Sequence, residues 1–208
     1  MKFYKGLVFL LSGLFKFLFR LNITGADNVP DSGNYLVVSN HISIADVFTL
    51  AISCKRQIHF MAKKELFKIP VLSQLVTALG AFPVDRKGNP ASALKKAVKI
   101  LEQGEIVGLF PQGTRQQNIS VADTEFKSGA AFCAYKSKSG IVPAFIKTDG
   151  QKFALFRKSE IIYGKPIEFN ALPLSEGGND EYAVVSELIK REILLLEEKA
   201  YGGKYNAK

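Results

Sequence analysis

Beyond residue 30, short apolar runs alternate with segments of helical spacing. Tyr35–Ser39, Ile58–Ala62, Ala81–Val84, Ile106–Phe110 and Ile141–Ile146 read as strands, with Glu160–Tyr163 as a weaker sixth. Helical patterns fall between them at Ala45–Ser53, Val71–Leu79, Pro90–Gln103 and Gly129–Ser137, and a last amphipathic helix spans Glu181–Ala200. The helix from Pro90 carries the fullest set of signals. Asn89 can cap it, Pro90 suits its first turn and Gly104 can end it, while Leu94, Val98 and Leu101 line one side and Lys95, Lys96 and Lys99 another. Strands separated by helices predict an α/β domain with a mostly parallel central sheet flanked by helices. Neither an internal repeat nor a second domain is visible.

The first 24 residues follow a different rule. On a helical wheel Lys2, Lys5, Lys16 and Arg20 fall within about 60° of one another, and most of the remaining circumference is Phe, Leu, Val and Tyr. A membrane span needs about 20 apolar residues, and the longest uncharged run, Gly6–Phe15, is half that. A signal peptide would need a small-residue cleavage site, which does not follow Arg20. A helix lying in the membrane interface fits these positions, with a helix packed on its own domain as the plainer reading. The organisation expected is therefore an amino-terminal amphipathic membrane-binding helix over 1–24, an α/β domain over 25–201 opening with the turn-rich Gly25–Gly33, and a flexible tail over 202–208.

Composition narrows the chemistry. The 208 residues hold 28 Lys and Arg against 19 Asp and Glu, a net charge of +9 that asks for an anionic partner. Nucleic acid, phosphorylated small molecules and acidic lipids all qualify, but no nucleic-acid-binding motif is present. Two cysteines, Cys54 and Cys133, are too few for a disulfide framework and lack metal-ligand spacing.

Of the two histidines, His59 sits inside an apolar run and reads as packed structure. His41 lies just past the end of the first strand, the sheet edge where open α/β folds bind ligands. Asp46, five residues on, falls in the first turn of the next helix and can fold back to hold one ring nitrogen protonated, leaving the other as a base. On spacing alone, a loop histidine beside a helix-start charge fits equally well. Arg86 and Arg115 arrive at two further strand ends, and an arginine fork suits phosphate. Ser39 and Ser43 are not in a G-x-S-x-G elbow, and neither a Walker loop nor a G-x-G-x-x-G turn occurs. A base without a nucleophile favours direct attack of a substrate hydroxyl on an acyl carbonyl.

Four blocks carry a family resemblance. Asn40-His41-Ile42-Ser43-Ile44-Ala45-Asp46 matches the N-H-x4-D block of the glycerolipid acyltransferases, specifically the 1-acyl-glycerol-3-phosphate (lysophosphatidate) acyltransferase family. Gly80–Arg86 resembles the second block, Phe110–Arg115 the third (F-P-E-G-T-R) and Ile141–Ala144 the fourth, in the right order between about residues 30 and 165. Phe60–Leu66 and Phe126–Ala130 also resemble family segments.

The resemblance implies that His41 is the general base and Asp46 its orienting partner. It further implies that Arg86 and Arg115, with Lys63, Lys64 and Lys127 as weaker candidates, hold the acceptor's phosphate. Asn40, Gln112, Gly113 and Thr114 would shape the site. The implied acceptor is lysophosphatidate, and the donor an acyl carrier protein or coenzyme A thioester. The implied product is phosphatidate, made by a peripheral or monotopic enzyme at the cytoplasmic face of the membrane. Neither a metal nor a redox cofactor is implied. One departure stands out: Gln112 replaces the family's glutamate, keeping its shape but losing its charge. That change keeps glycerol-3-phosphate or another lysolipid open as acceptor. A non-catalytic binder of anionic lipid or nucleic acid is the reading from a different class.

Overall fold

The structure, a computed structural model, describes residues 13, 17–84, 90–148 and 156–202. Among the described residues, seven strands form one sheet: β1 (Leu21–Thr24), β2 (Tyr35–Ser39), β3 (Ile58–Lys63), β4 (Ala81–Val84), β5 (Ile106–Leu109), β6 (Gly140–Thr148) and β7 (Ser159–Tyr163). Their spatial order is β1-β7-β6-β2-β5-β3-β4. Every neighbouring pair is parallel except β6–β7. The helices are α1 (Ala45–Ser53), α2 (Pro70–Ala78), α3 (Pro90–Leu101), α4 (Gly129–Ser137) and α5 (Asn179–Ala200).

Burial on both sheet faces explains why the strands read as continuous apolar runs rather than alternating ones. One face packs Leu36, Val107, Ile141 and Phe145 under α3, α4 and α5, contributing Ala97, Leu101, Ala134, Val185 and Ile189. The other packs Val37, Phe60, Ile106, Val142 and Ile161 against Leu50, Ala51 and Ile52 of α1. Strand β2 lies centrally between β5 and β6, so its carboxyl end opens between two chain crossovers, the usual place for a ligand crevice.

One boundary is corrected. Leu21–Thr24, assigned to the amino-terminal helix on sequence, is an edge strand pairing in parallel with β7, Leu21 opposite Ser159 and Thr24 opposite Ile162. Its alternation of buried Leu21 with exposed Asn22 is a strand period that the preceding helical wheel concealed. Arg20, at φ +43°, turns the chain into it. Gly13, Phe17 and Leu18 are helical. Phe19 and Arg20 form a turn, and residues 1–12 and 14–16 of the expected amphipathic helix lie outside the described residues, as do Asn89 and all but Gly202 of the tail. Among the described residues, no helix is long and apolar enough to cross a membrane.

Candidate active site

The site grows from the carboxyl end of β2. Asn40 is the first residue past the strand, and its buried side chain extends the ladder to β6. Its Nδ2 donates to the Ile146 carbonyl at 2.9 Å, and its Oδ1 accepts from the Ile146 amide at 2.8 Å. The chain is therefore still fixed when it reaches His41.

His41 Nδ1 lies 2.8 Å from Asp46 Oδ2, with the imidazole mostly covered and the carboxylate fully buried. The same oxygen accepts the amides of Ile42 at 2.7 Å and Ser43 at 2.8 Å. Asp46 thus ties down the amides just ahead of α1 while orienting the ring, and its own place in the first turn, at the electropositive helix end, suits a carboxylate. Its other oxygen is buried without a hydrogen-bond partner among the described residues. With Nδ1 tied to Asp46, a neutral ring carries its proton there and Nε2 keeps a lone pair.

A second loop, following β5, grips the first. Because β2 and β5 are parallel neighbours with Val38 opposite Leu109, the residues after each strand emerge side by side. The Gln112 Oε1 accepts the His41 amide at 2.7 Å, and the Gln116 amide donates to the His41 carbonyl at 2.7 Å. The Gln117 Nε2 donates to the Ile42 carbonyl at 3.0 Å. Gln112 Nε2 donates to Thr124 Oγ1 at 3.2 Å, and that hydroxyl spends its own proton on the Val121 carbonyl at 2.9 Å. An amide matches this polarity: it accepts on one side and donates on the other. Gln112 is buried and does not line the large cavity beside His41.

That cavity measures about 420 Å³ and is bounded by His41, Phe60, Met61, Leu94, Phe110 and Lys127 among others. Most of its wall is apolar. Gly108 lies on this wall because no side chain fits there: a Cβ would stand 2.2 Å from the Phe60 ring. Gly113, at φ +73°, turns the loop so that Lys127 Nζ lies across it, where a Cβ would meet the ammonium at 3.0 Å.

Of the residues expected at the site, His41, Asp46, Asn40, Gln112, Gly113 and Lys127 converge. Thr114 and Arg115 are exposed on the same loop, with Thr114 Oγ1 accepting from Gln116 Nε2 at 3.4 Å. Lys63 ends β3 opposite Val84, and both Lys63 and Lys64 are exposed without lining the cavity. Arg86 lies outside the described residues. His59, expected to be structural, places Nδ1 3.0 Å from the Gly80 carbonyl, away from the cavity.

The sequence model of the acyltransferase family matches residues 20–147, most of the chain and all of the loops just described. The chain belongs to the acyltransferase family. This acyltransferase is 34% identical over 185 residues to the 1-acyl-sn-glycerol-3-phosphate acyltransferase of Bacillus subtilis, covering 86% of this chain and 89% of that protein. It is 30% identical over 201 residues to the enzyme of the same name from Streptococcus pneumoniae, covering 94% and 72%. The crystal structure of the 1-acyl-sn-glycerophosphate (LPA) acyltransferase PlsC from Thermotoga maritima superposes with a TM-score of 0.66 at 23% identity, over 94% of this chain and 89% of that one. The acyltransferase shares its α/β fold with that structure.

Two contributors to the site were not among the residues expected there. Phe110 stacks on His41, ring centroids 4.1 Å apart at 16°, and Phe60 continues the stack behind it at 6.3 Å. Thr124 completes the Gln112 bond. Phe110 was detectable in principle, since it follows the strand beside His41's own. Thr124 carried no signal, because its position depends on the path of a loop.

Proposed function

We propose that this acyltransferase transfers a fatty acyl group from a thioester, on acyl carrier protein or coenzyme A, to the sn-2 hydroxyl of lysophosphatidate. The product is phosphatidate, for phospholipid biosynthesis. The observation that carries this reading is the His41 Nδ1–Asp46 Oδ2 bond of 2.8 Å beside an apolar cavity. Nε2 of His41 takes the hydroxyl proton as the acceptor oxygen attacks the thioester carbonyl. The tetrahedral intermediate collapses, expelling the thiolate, which recovers that proton from the imidazolium. The Asp46 carboxylate stabilises the imidazolium while it exists, without itself taking the proton. The apolar cavity houses acyl chain, whose exposure to water is costly. Lys127, on the rim beside His41, is the foremost phosphate contact, with Arg115 and Arg86 supplying further charge and Lys63 and Lys64 contributing to the basic surround.

The names of the relatives support lysophosphatidate as acceptor. The buried place of Gln112, bonded to His41 and Thr124 and outside the cavity lining, favours the same acceptor. The acyltransferase works from the membrane surface as a peripheral or monotopic protein on the cytoplasmic face, where its acceptor resides and its donor arrives from solution. The basic residues ahead of β1 favour acidic lipid.

Purified protein, assayed with both donors against lysophosphatidate, glycerol-3-phosphate and neutral lysolipids, tests the reading by mass spectrometry of products. Lysophosphatidate should rank first, and His41→Ala should lose roughly a thousandfold or more in turnover while remaining folded. Near-normal turnover in that variant removes the mechanism, and a different preferred acceptor removes the substrate assignment.

A further inference from the structure

The carboxyl-terminal helix α5 buries Tyr182, Val185, Ile189 and Ile193 along one face, and the next position on that face is Glu197. Glu197 is 2% exposed. It stands in the last turn of the helix, where the macrodipole disfavours negative charge, and no cation pairs with it among the described residues. Burial pushes its carboxyl above the usual range, against the opposing pull of its hydrogen bonds from Ser120 and Val121. A leucine there would pack without any of these penalties, so the carboxyl needs another reason.

Its contacts supply one. The Glu197 Oε2 accepts the Ser120 hydroxyl at 2.9 Å and the Val121 amide at 3.0 Å. The Val121 carbonyl accepts the Thr124 hydroxyl at 2.9 Å, and Thr124 Oγ1 accepts Gln112 Nε2 at 3.2 Å. Gln112 Oε1 accepts the His41 amide at 2.7 Å. Every donor and acceptor along this path is used with the correct polarity, and it leads from the end of α5 to the residue carrying the catalytic imidazole. The intervening loop also holds the His41 carbonyl through the Gln116 amide.

We propose that Glu197 is a positioning residue, fixing the loop 112–124 through Ser120 and Val121 so that Gln112 holds His41 in register with the cavity. The inference rests on His41 being the base of acyl transfer. Glu197 lies outside the segment 20–147 that defines the family match, so α5 adds a support of its own to the shared site.

The test uses the full chain with the thioester donor and the acceptor that the wild type prefers. Glu197→Ala should lower kcat roughly tenfold or more, the scale expected for a displaced catalytic group, with acceptor KM changed less than about twofold. Glu197→Gln, whose amide oxygen can accept both hydrogens, should restore most of kcat. Thr124→Val cuts the path in its middle. Its loss should not add to that of Glu197→Ala in the double variant. Independently of activity, the His41 backbone amide resonance in a ¹⁵N-labelled sample should move in Glu197→Ala and in Thr124→Val, and return towards its wild-type position in Glu197→Gln. A folded Glu197→Ala with kcat within twofold and an unmoved His41 amide overturns the proposal. If Glu197→Ala does not fold, an unmoved His41 amide in Thr124→Val overturns it equally. Should His41→Ala keep its turnover, the general-base reading falls instead, and the amide shifts still decide whether the connection to His41 exists.

Discussion

The Phe110 ring lies nearly parallel to the His41 imidazole, 4.1 Å between centroids. One face of the imidazole is thereby covered, and the positive charge it gains in the proposed transfer faces an aromatic π-cloud. Phe110→Leu keeps apolar cover but removes the quadrupole and the flat support. Turnover should fall roughly tenfold, consistent with about 1 kcal/mol of lost stabilisation and looser ring placement. Steady-state kinetics beside thermal melting checks this. Full turnover would assign Phe110 to packing alone.

Gln112→Glu restores the residue of the family pattern. The carboxylate can still accept the His41 amide, but Thr124 must then turn its hydroxyl proton from the Val121 carbonyl towards it. Because the side chain does not line the large cavity, the ranking of acceptors should not change. Stability should drop by about 1–3 kcal/mol if Thr124 stays with Val121 and an acceptor meets an acceptor. An acceptor panel and a urea titration together separate these effects, and a changed acceptor order would place residue 112 in contact with substrate.

Gly108→Ala drives a methyl group into the Phe60 ring. That ring can yield only by moving within a filled sheet face or into the cavity. Stability should fall by about 1–3 kcal/mol, and kcat/KM for long-chain donors should drop more than for short-chain ones. Equal losses across a chain-length series would show that the cavity wall was not disturbed.

Acid should weaken the start of α5 late. The carboxyl of Glu181 is lowered from 4.5 to about 2, chiefly by the Ser175 hydroxyl and the amide of Gly177, with further amide bonds from Ser175 and Glu176. A depressed carboxyl means that the unfolded chain takes up the proton first. Its stabilising contribution is complete above pH 4.5 and disappears as pH falls towards 2. Melting temperatures of wild type and Glu181→Gln should therefore differ most above pH 5 or so and converge towards pH 2. A constant gap would show that the bonds do not depend on the charge.

Much of the fold was written in local patterns. Tyr35–Ser39, Ala81–Val84, Ala45–Ser53 and Gly129–Ser137 have the predicted limits, because buried parallel strands and amphipathic helices leave clear periods. Strand β1 escaped because four residues directly after a helical pattern offer too short a period to read, and because its partner β7 lies over 130 residues away. The reversal of β7 against β6 was equally hidden, since strand direction depends on the connection and not on the strand's composition. At the site, five residues of spacing and a helix start allow His41 and Asp46 to meet without requiring it, and the family resemblance is what singled the pair out. The Gln112–Thr124 bond and the stacked Phe110 required knowing that β2 and β5 are neighbours, which no segment of the chain states alone.

Strand β1 begins on the residue after Arg20, with no slack between the two, and is hydrogen-bonded along its length to the sheet's edge. The helical residues Phe17 and Leu18 therefore join the sheet as a bracket rather than a tether. The direction in which the chain leaves this edge is consequently a property of the sheet itself, set once on folding instead of being searched for anew.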